Sequence, residues 1–151
     1  MPATILHQFC IIMANTKRTQ VCYYIVMISV SEEEFAAMVG AGMDAISPKY
    51  IEHLNNIVFV TEDTPSAEQI YKLKLRHDQS LFGLYEGIPL TRRGSNYNLV
   101  LPDKITIFKN PLEMASNSID ELRERVRHTV WHEVAHFYGL DHDRIYSLEK
   151  S

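Results

Sequence analysis

Eleven consecutive residues decide how this chain is interpreted: HEVAHFYGLDH, residues 132–142. His132 and His136 are four residues apart, so in an α-helix their imidazoles lie one turn apart on the same face and can reach one metal ion. Glu133 is rotated by about 100° from that face, where its carboxylate can reach a water on the open side of the ion. The spacing is the HExxH signature, which predicts two zinc ligands and a general base.

A third ligand is expected just beyond the end of this helix. Gly139 is the predicted helix terminator, because glycine adopts the left-handed conformation that turns the chain back. His142 completes the pattern HExxHxxGxxH and is the predicted third ligand; Asp141 and Asp143 flank it and are the alternatives. Three converging histidines favour a metal site over ordinary core positions, since a buried imidazole without a partner is costly.

The rest of the chain predicts a mixture of helices and strands. Ser118 and Glu121 form a capping-box pattern, so the motif helix is expected from Ser118 to about Tyr138. Periodicity and turn residues predict the remaining elements. They are helices from Ser31 to about Ala45, after Pro48 and from Ser66 to about Asp78, strands at Asn56–Glu62 and Lys104–Lys109, and a surface loop from Gly83 to Pro102.

The length of 151 residues predicts one domain. Residues 1–26 show no clear period and are expected to be a dispensable N-terminal extension. The domain is expected to span residues 27–151, because Ser31 and Glu34 form a capping box soon after Met27. The alternative is an additional N-terminal strand, since Val21–Val30 is rich in β-branched and aromatic residues.

Composition disfavours several classes of protein. A net charge of −4 lacks the basic excess with which nucleic-acid-binding proteins gather phosphates, so no nucleic-acid partner is expected. The longest apolar run, Val21–Val30, is shorter than the eighteen or so residues that a membrane-spanning helix needs, so no membrane partner is expected. Cys10 and Cys22 both lie near the N-terminus and cannot cross-link the rest of the domain, which favours a reducing, cytoplasmic location.

The sequence resembles a known family, the small bacterial zincin-like metallopeptidases, or minimal zincins. The resemblance covers nearly all of residues 27–150. It is carried by VSEEEF (30–35), GLYEGIPLTRRG (83–94), LPDKI (101–105) and VRHTVWHEVAH (126–136). It implies a compact, single-domain α/β (α+β) fold, with a small mixed sheet and a helix that carries HExxH. Members of the family usually look like HExxHxxGxxD, so His142 stands where an acid is usual.

The residues and the resemblance together predict a zinc-dependent metallopeptidase that acts on a peptide or protein substrate. His132, His136 and His142 are expected to bind Zn²⁺, and Glu133 is expected to act as the general base and then as the acid. One alternative is a zinc-dependent endoribonuclease of the rRNA-maturation type, whose pattern resembles HGxxHxxGxDH and has glycine in place of Glu133. The other is a non-catalytic zinc-binding domain, although structural sites usually have four protein ligands.

Two details of substrate binding are predicted by residue type alone. Tyr85, Tyr97 and Tyr138 are the candidates for a side chain that stabilises the oxyanion. The strand predicted at Lys104–Lys109 is expected to offer an edge against which an extended peptide pairs.

Overall fold

A computed structural model of the protein describes residues 28–76, 78–94 and 101–149. The predicted N-terminal extension, residues 1–26, and its alternative as a strand therefore lie outside the described residues, apart from residues 28–30. The helices are α1 (Glu32–Asp44), α2 (Pro48–Ile51), α3 (Ala67–Lys72), α4 (Lys109–Met114), α5 (Ile119–Phe137) and α6 (His142–Glu149). The strands are β1 (Ile57–Glu62), β2 (Gly83–Glu86) and β3 (Asp103–Phe108), and a 3₁₀ turn covers Leu90–Arg92.

The described strands form a three-stranded mixed sheet in the order β1-β3-β2. β3 is the central strand, parallel to β1 and antiparallel to β2. The expectation that β3 offers an edge to a peptide is therefore wrong, because both of its sides are already paired. β2 was missed within the predicted loop Gly83–Pro102; it is only four residues long, and pairing with β3 imposes its extended shape.

The core lies between α1, α5 and the sheet. Ile105 and Ile107 of β3 are fully buried, as are Val126, Val130 and Val134 along one side of α5. These valines recur every four residues, so they form a single apolar stripe on the helix. The result is a small mixed α/β domain, which confirms the predicted fold class. No helix within the described ranges is long and apolar enough to cross a membrane.

The capping box predicted for α1 is complete in the structure, whereas the one predicted for α5 is only partly formed. Ser31 and Glu34 form the complete capping box predicted for α1. At α5, the Ser118 hydroxyl accepts from the Glu121 N–H as expected. The Glu121 carboxylate instead accepts from the Asn117 N–H at 2.8 Å, so the reciprocal half of the box is shifted by one residue.

One helix is shorter than predicted, and two helices were not predicted. The third helix was expected to reach Asp78 but ends at Lys72; Lys74 has a φ of +52°, which interrupts an α-helix. α4 and α6 were not predicted. Both are short, and α4 has no side-chain cap to mark its start.

A buried ionic cluster ties β2, β3 and the chain before β3 together. Asp103 is 3% exposed and forms an ion pair with Arg93, which is 13% exposed. The Tyr85 hydroxyl donates to Asp103 Oδ2 at 2.6 Å. The Arg93 guanidinium also lies over the ring of Phe137, at 4.8 Å from its centroid. The cluster therefore links the sheet to the C-terminal turn of α5, next to the motif histidines.

Replacing Asp103 with alanine is expected to lower the free energy of unfolding by about 3–5 kcal/mol, because it leaves the buried Arg93 charge without its carboxylate. Urea denaturation of the full chain measures this change. The matched control is Asp78→Ala, which breaks an ion pair whose side chains are 77% and 68% exposed; it should cost less than ~1 kcal/mol. Equal effects of the two substitutions would show that the Asp103 pair contributes no more than a surface pair.

Candidate metal centre

The motif helix α5 ends in a hydrogen-bonded reversal of the chain. The Gly139 N–H donates to the His136 carbonyl at 2.9 Å, and the Leu140 N–H donates to the Ala135 carbonyl at 3.1 Å. These two bonds define a Schellman motif, and Gly139 has the left-handed φ of +77° that it requires. The helix therefore ends within a residue of its predicted terminus, Tyr138, and the chain turns back at the predicted glycine.

The turn leads directly into α6, which begins at His142. Asp141 precedes this helix, and its Oδ1 accepts a hydrogen bond from the Arg144 N–H at 2.9 Å. This is the geometry of an N-cap, so the Asp141 carboxylate is engaged with the backbone of α6. Asp143 is an exposed residue of the first turn of α6.

The structure brings His132, His136 and His142 into one cluster. The three rings are neighbours in every pairing, with centroid separations of 4.7, 5.2 and 4.9 Å. One ligand nitrogen from each ring lies within 4.8 Å of the others. His132 and His136 are half-buried, whereas His142 is exposed. Neither Asp141 nor Asp143 belongs to this cluster.

The donor set fits zinc in its chemistry and in its spacing. Imidazole nitrogens are good zinc ligands, and a tetrahedral ion with Zn–N bonds of 2.0–2.1 Å would hold its nitrogens roughly 3.3 Å apart. The three ligand nitrogens lie within 4.8 Å of one another, so they are close to that spacing. Three protein ligands leave a fourth position open, which is typical of catalytic and not of structural zinc sites.

The electrostatics of the cluster favour the neutral form of His132 and His136. Burial lowers the pKa of His132 to about 4, and the neighbouring histidines lower it further in the same direction. The pKa of His136 is also lowered, first by burial and then by His142. A neutral imidazole has a free lone pair, so both side chains are ready to bind a cation at pH 7.

Glu133 lies beside the cluster in a buried position, 6% exposed. Burial raises the pKa of its carboxyl to about 7, and a hydrogen bond from the Tyr85 backbone partly opposes this shift. A carboxylate whose pKa is close to neutrality can both accept and return a proton. Glu133 and His132 line the same cleft, which has a volume of about 610 Å³.

Gly83, the first residue of β2, leaves space for the Glu133 side chain because it has no side chain of its own. A Cβ at this position would lie 2.8 Å from Glu133 Cγ and 2.9 Å from Glu133 Oε1, and also 2.8 Å from Thr129 Cγ2. No side chain fits there without moving the carboxylate. The sequence placed Gly83 at the start of a predicted surface loop, and nothing in the local pattern indicates that β2 passes over α5 at this point.

Comparison with known proteins identifies the family. The family model for zincin-like metallopeptidases matches residues 54–151, about two-thirds of the chain. The chain belongs to the zincin-like metallopeptidase family. This confirms the resemblance inferred from the sequence, although the match begins at residue 54 and leaves α1 and α2 outside it. No curated protein matches the chain in sequence.

Two of the three tyrosines that the sequence suggested for this zincin-like site donate hydrogen bonds elsewhere. The Tyr85 hydroxyl donates to Asp103, and the Tyr138 hydroxyl donates to the backbone carbonyl of Tyr50. Tyr97 lies outside the described residues. Tyr146, which the sequence interpretation missed, has its ring 6.4 Å from the rings of His132 and of His142.

Tyr146 follows His142 by four residues, one turn along α6, so the two side chains lie on the same face of the helix. Recognition of α6 from the sequence would have found it. His128, one turn before His132 on α5, is exposed, and its ring stacks beside that of His132 at 6.5 Å.

Gly139→Ala is expected to destabilise this zincin-like domain by at least ~1–2 kcal/mol, because alanine is strained at positive φ. A Cβ there would also lie 2.1 Å from Thr91 Oγ1. Urea denaturation of the metal-free protein measures the effect. The matched control is Gly40→Ala, in a helix with nothing within 4 Å of the new Cβ. It should stabilise by roughly 0.5–1 kcal/mol; a loss of stability at Gly40 equal to that at Gly139 would contradict the prediction.

Proposed function

We propose that the protein is a zinc-dependent peptidase in which His132, His136 and His142 bind Zn²⁺ and Glu133 transfers the proton. The observation that supports this most strongly is the convergence of the three ligand nitrogens within 4.8 Å, next to a buried carboxylate. A zinc ion bound there supplies a Lewis acid for the scissile carbonyl and lowers the pKa of a water toward 7.

We assign the proton transfer to Glu133. Its carboxylate accepts the proton of the attacking water and returns it to the leaving amine, which needs a group whose pKa is near neutrality. Gly83 leaves space for the carboxylate because it has no side chain, and the Tyr85 backbone N–H donates a hydrogen bond to the carboxylate. Both residues belong to β2, which is an edge strand of the described sheet. An extended peptide that pairs with this edge would lie next to Glu133.

Two observations favour a peptidase over the endoribonuclease alternative. Glu133 stands where the ribonuclease pattern has glycine, and a carboxylate in this position suits the transfer of a proton to a leaving amine. The net charge of −4 also disfavours an RNA substrate. The proposal includes a cytoplasmic location, since Cys10 and Cys22 both come early in the sequence, where they cannot cross-link the rest of the domain.

The decisive experiment compares the full chain with and without zinc on two substrates. Zinc-loaded protein is incubated with a mixture of peptides and, separately, with a structured RNA; a second sample is stripped with a chelator and then given zinc again. Peptide cleavage that is lost on stripping and regained with zinc is the expected result. Zinc-dependent cleavage of RNA alone would replace the proposal with the ribonuclease alternative. Zinc binding without either activity would support a non-catalytic domain.

The third ligand has its own test. His142→Ala should weaken zinc binding strongly, because only two protein ligands remain, whereas His142→Asp should keep zinc and part of the activity. Asp141→Ala and Asp143→Ala are the matched controls and should bind zinc like the wild type. Competition with a chromophoric chelator measures each affinity. Wild-type affinity in His142→Ala, with loss in one of the aspartate variants, would move the third ligand to that aspartate.

A further inference from the structure

The cleft that contains His132 and Glu133 extends well beyond them. One wall is the chain from Ser80 to Gly83, which leads into β2, and the other is the face of α5 on the N-terminal side of the motif. Thr129 and Arg125 lie three and seven residues before His132, so the cleft extends roughly 10 Å along the helix axis. This length exceeds what the reacting groups alone need.

The walls next to the reacting groups are largely apolar. Leu81 and Phe82 are half-buried and line one side. On the other side the Thr129 hydroxyl donates to the Arg125 carbonyl at 2.8 Å, so the polar end of this side chain is bonded back to its own helix. The Thr129 methyl group is directed toward Gly83. A group that enters between Leu81, Phe82 and the Thr129 methyl group meets carbon atoms. Ser80, His128 and Tyr146 also line the cleft.

Two charged side chains that line the cleft on the N-terminal side of the motif, Arg125 and Glu124, are already paired within α5. The Arg125 guanidinium donates twice to Glu121, at 2.8 and 3.1 Å. The Glu124 carboxylate is bound by Arg127. A charged substrate side chain would have to compete with these pairs, whereas an apolar one leaves them intact.

We propose that this cleft binds a bulky apolar side chain of the substrate, on a residue adjacent to the scissile bond. The inference rests on the proposed peptidase function and names its substrate class. The continuity of the cleft with Glu133 places the bound side chain next to the reacting bond, and about 610 Å³ is ample for a leucine or phenylalanine side chain. Burial of such a side chain predicts a preference of about ten- to a hundredfold over glycine or aspartate.

A binding experiment tests the cleft without relying on turnover. Zinc-loaded full chain with Glu133→Gln is titrated with N-acetyl-phenylalanine amide, N-acetyl-leucine amide, and the glycine and aspartate equivalents, while amide NMR shifts are followed. The two apolar compounds should bind at least about tenfold more tightly, with shifts at residues 80–83 and 125–129. Equal binding of all four compounds, or shifts confined to another part of the protein, would overturn the proposal.

A pair of variants ties the preference to the cleft wall. Leu81→Asp should reduce binding of the apolar compounds about tenfold. Leu101→Asp is the matched control; its side chain is 88% exposed and does not line the cleft, so binding should be unchanged. Unchanged apolar binding in Leu81→Asp would contradict the assignment.

Cleavage of a peptide mixture distinguishes the proposed apolar cleft from the proposed peptidase function on which it rests. Apolar residues should be enriched about tenfold at one of the two positions that flank the cut. Cleavage without that enrichment contradicts the apolar cleft alone. Absence of cleavage, together with selective binding of the apolar compounds at residues 80–83 and 125–129, contradicts the peptidase function and supports the apolar cleft.

Discussion

Glu133→Gln is expected to lower kcat for peptide hydrolysis by about 10²–10⁴-fold while the protein keeps its zinc. The amide preserves the size of the side chain in its buried site, but it cannot accept a proton from water. Loss of activity at constant metal content is the signature of a group that acts only in the chemical step. The measurement pairs the cleavage rate of a peptide substrate with zinc content by elemental analysis.

The control for this variant is Glu68→Gln, because Glu68 is an exposed glutamate on α3 that does not line the cleft. Its activity should equal that of the wild type. Full activity in Glu133→Gln would remove this residue from its role. Loss of zinc together with activity would show that Glu133 supports the metal site instead of the proton transfer.

His136→Ala is expected to reduce zinc affinity at least about a hundredfold. Loss of a group that merely supports a ligand typically costs 10–100-fold, so loss of the ligand itself should cost more. Because zinc stabilises the folded chain in proportion to the logarithm of its concentration over Kd, the variant should also lose the rise in Tm that zinc gives the wild type. Chelator competition and thermal melts with and without zinc measure the two effects.

His53→Ala is the matched control, since His53 is exposed and lies outside the cluster. It should bind zinc and respond in Tm like the wild type. Wild-type zinc affinity in His136→Ala would contradict a site built on the HExxH histidines.

The parts of the fold that were predictable are those with local causes. Ser31 and Glu34 determine the start of α1 within four residues, and Gly139 determines the end of α5 through its φ. β2 was not predictable in this way. Its four residues lie among turn formers, and they are extended because Tyr85 and its neighbours pair with β3, about twenty residues further along the chain.

The same distinction between local and tertiary causes applies to the candidate site. The spacing of His132 and His136 fixes their common face on α5, so their placement follows from helix geometry alone. The environment of Glu133 does not, because its burial and its room depend on Gly83. The sequence therefore indicated the residues that the structure brings together at the candidate site, while the walls of the cleft and the Asp103–Arg93 pair emerged only from tertiary contacts.

The three histidines and the turn at Gly139 also affect the order in which the candidate site assembles during folding. Their contacts span only about ten residues of chain, so little loop-closure entropy opposes the assembly of the ligand cluster during folding. The contact of Gly83 with Glu133 spans about fifty residues and closes a much larger loop. We therefore expect the histidine cluster to form before β2 packs against Glu133 when the full chain folds, so the proposed zinc ligands would be assembled before the buried environment of the carboxylate is complete.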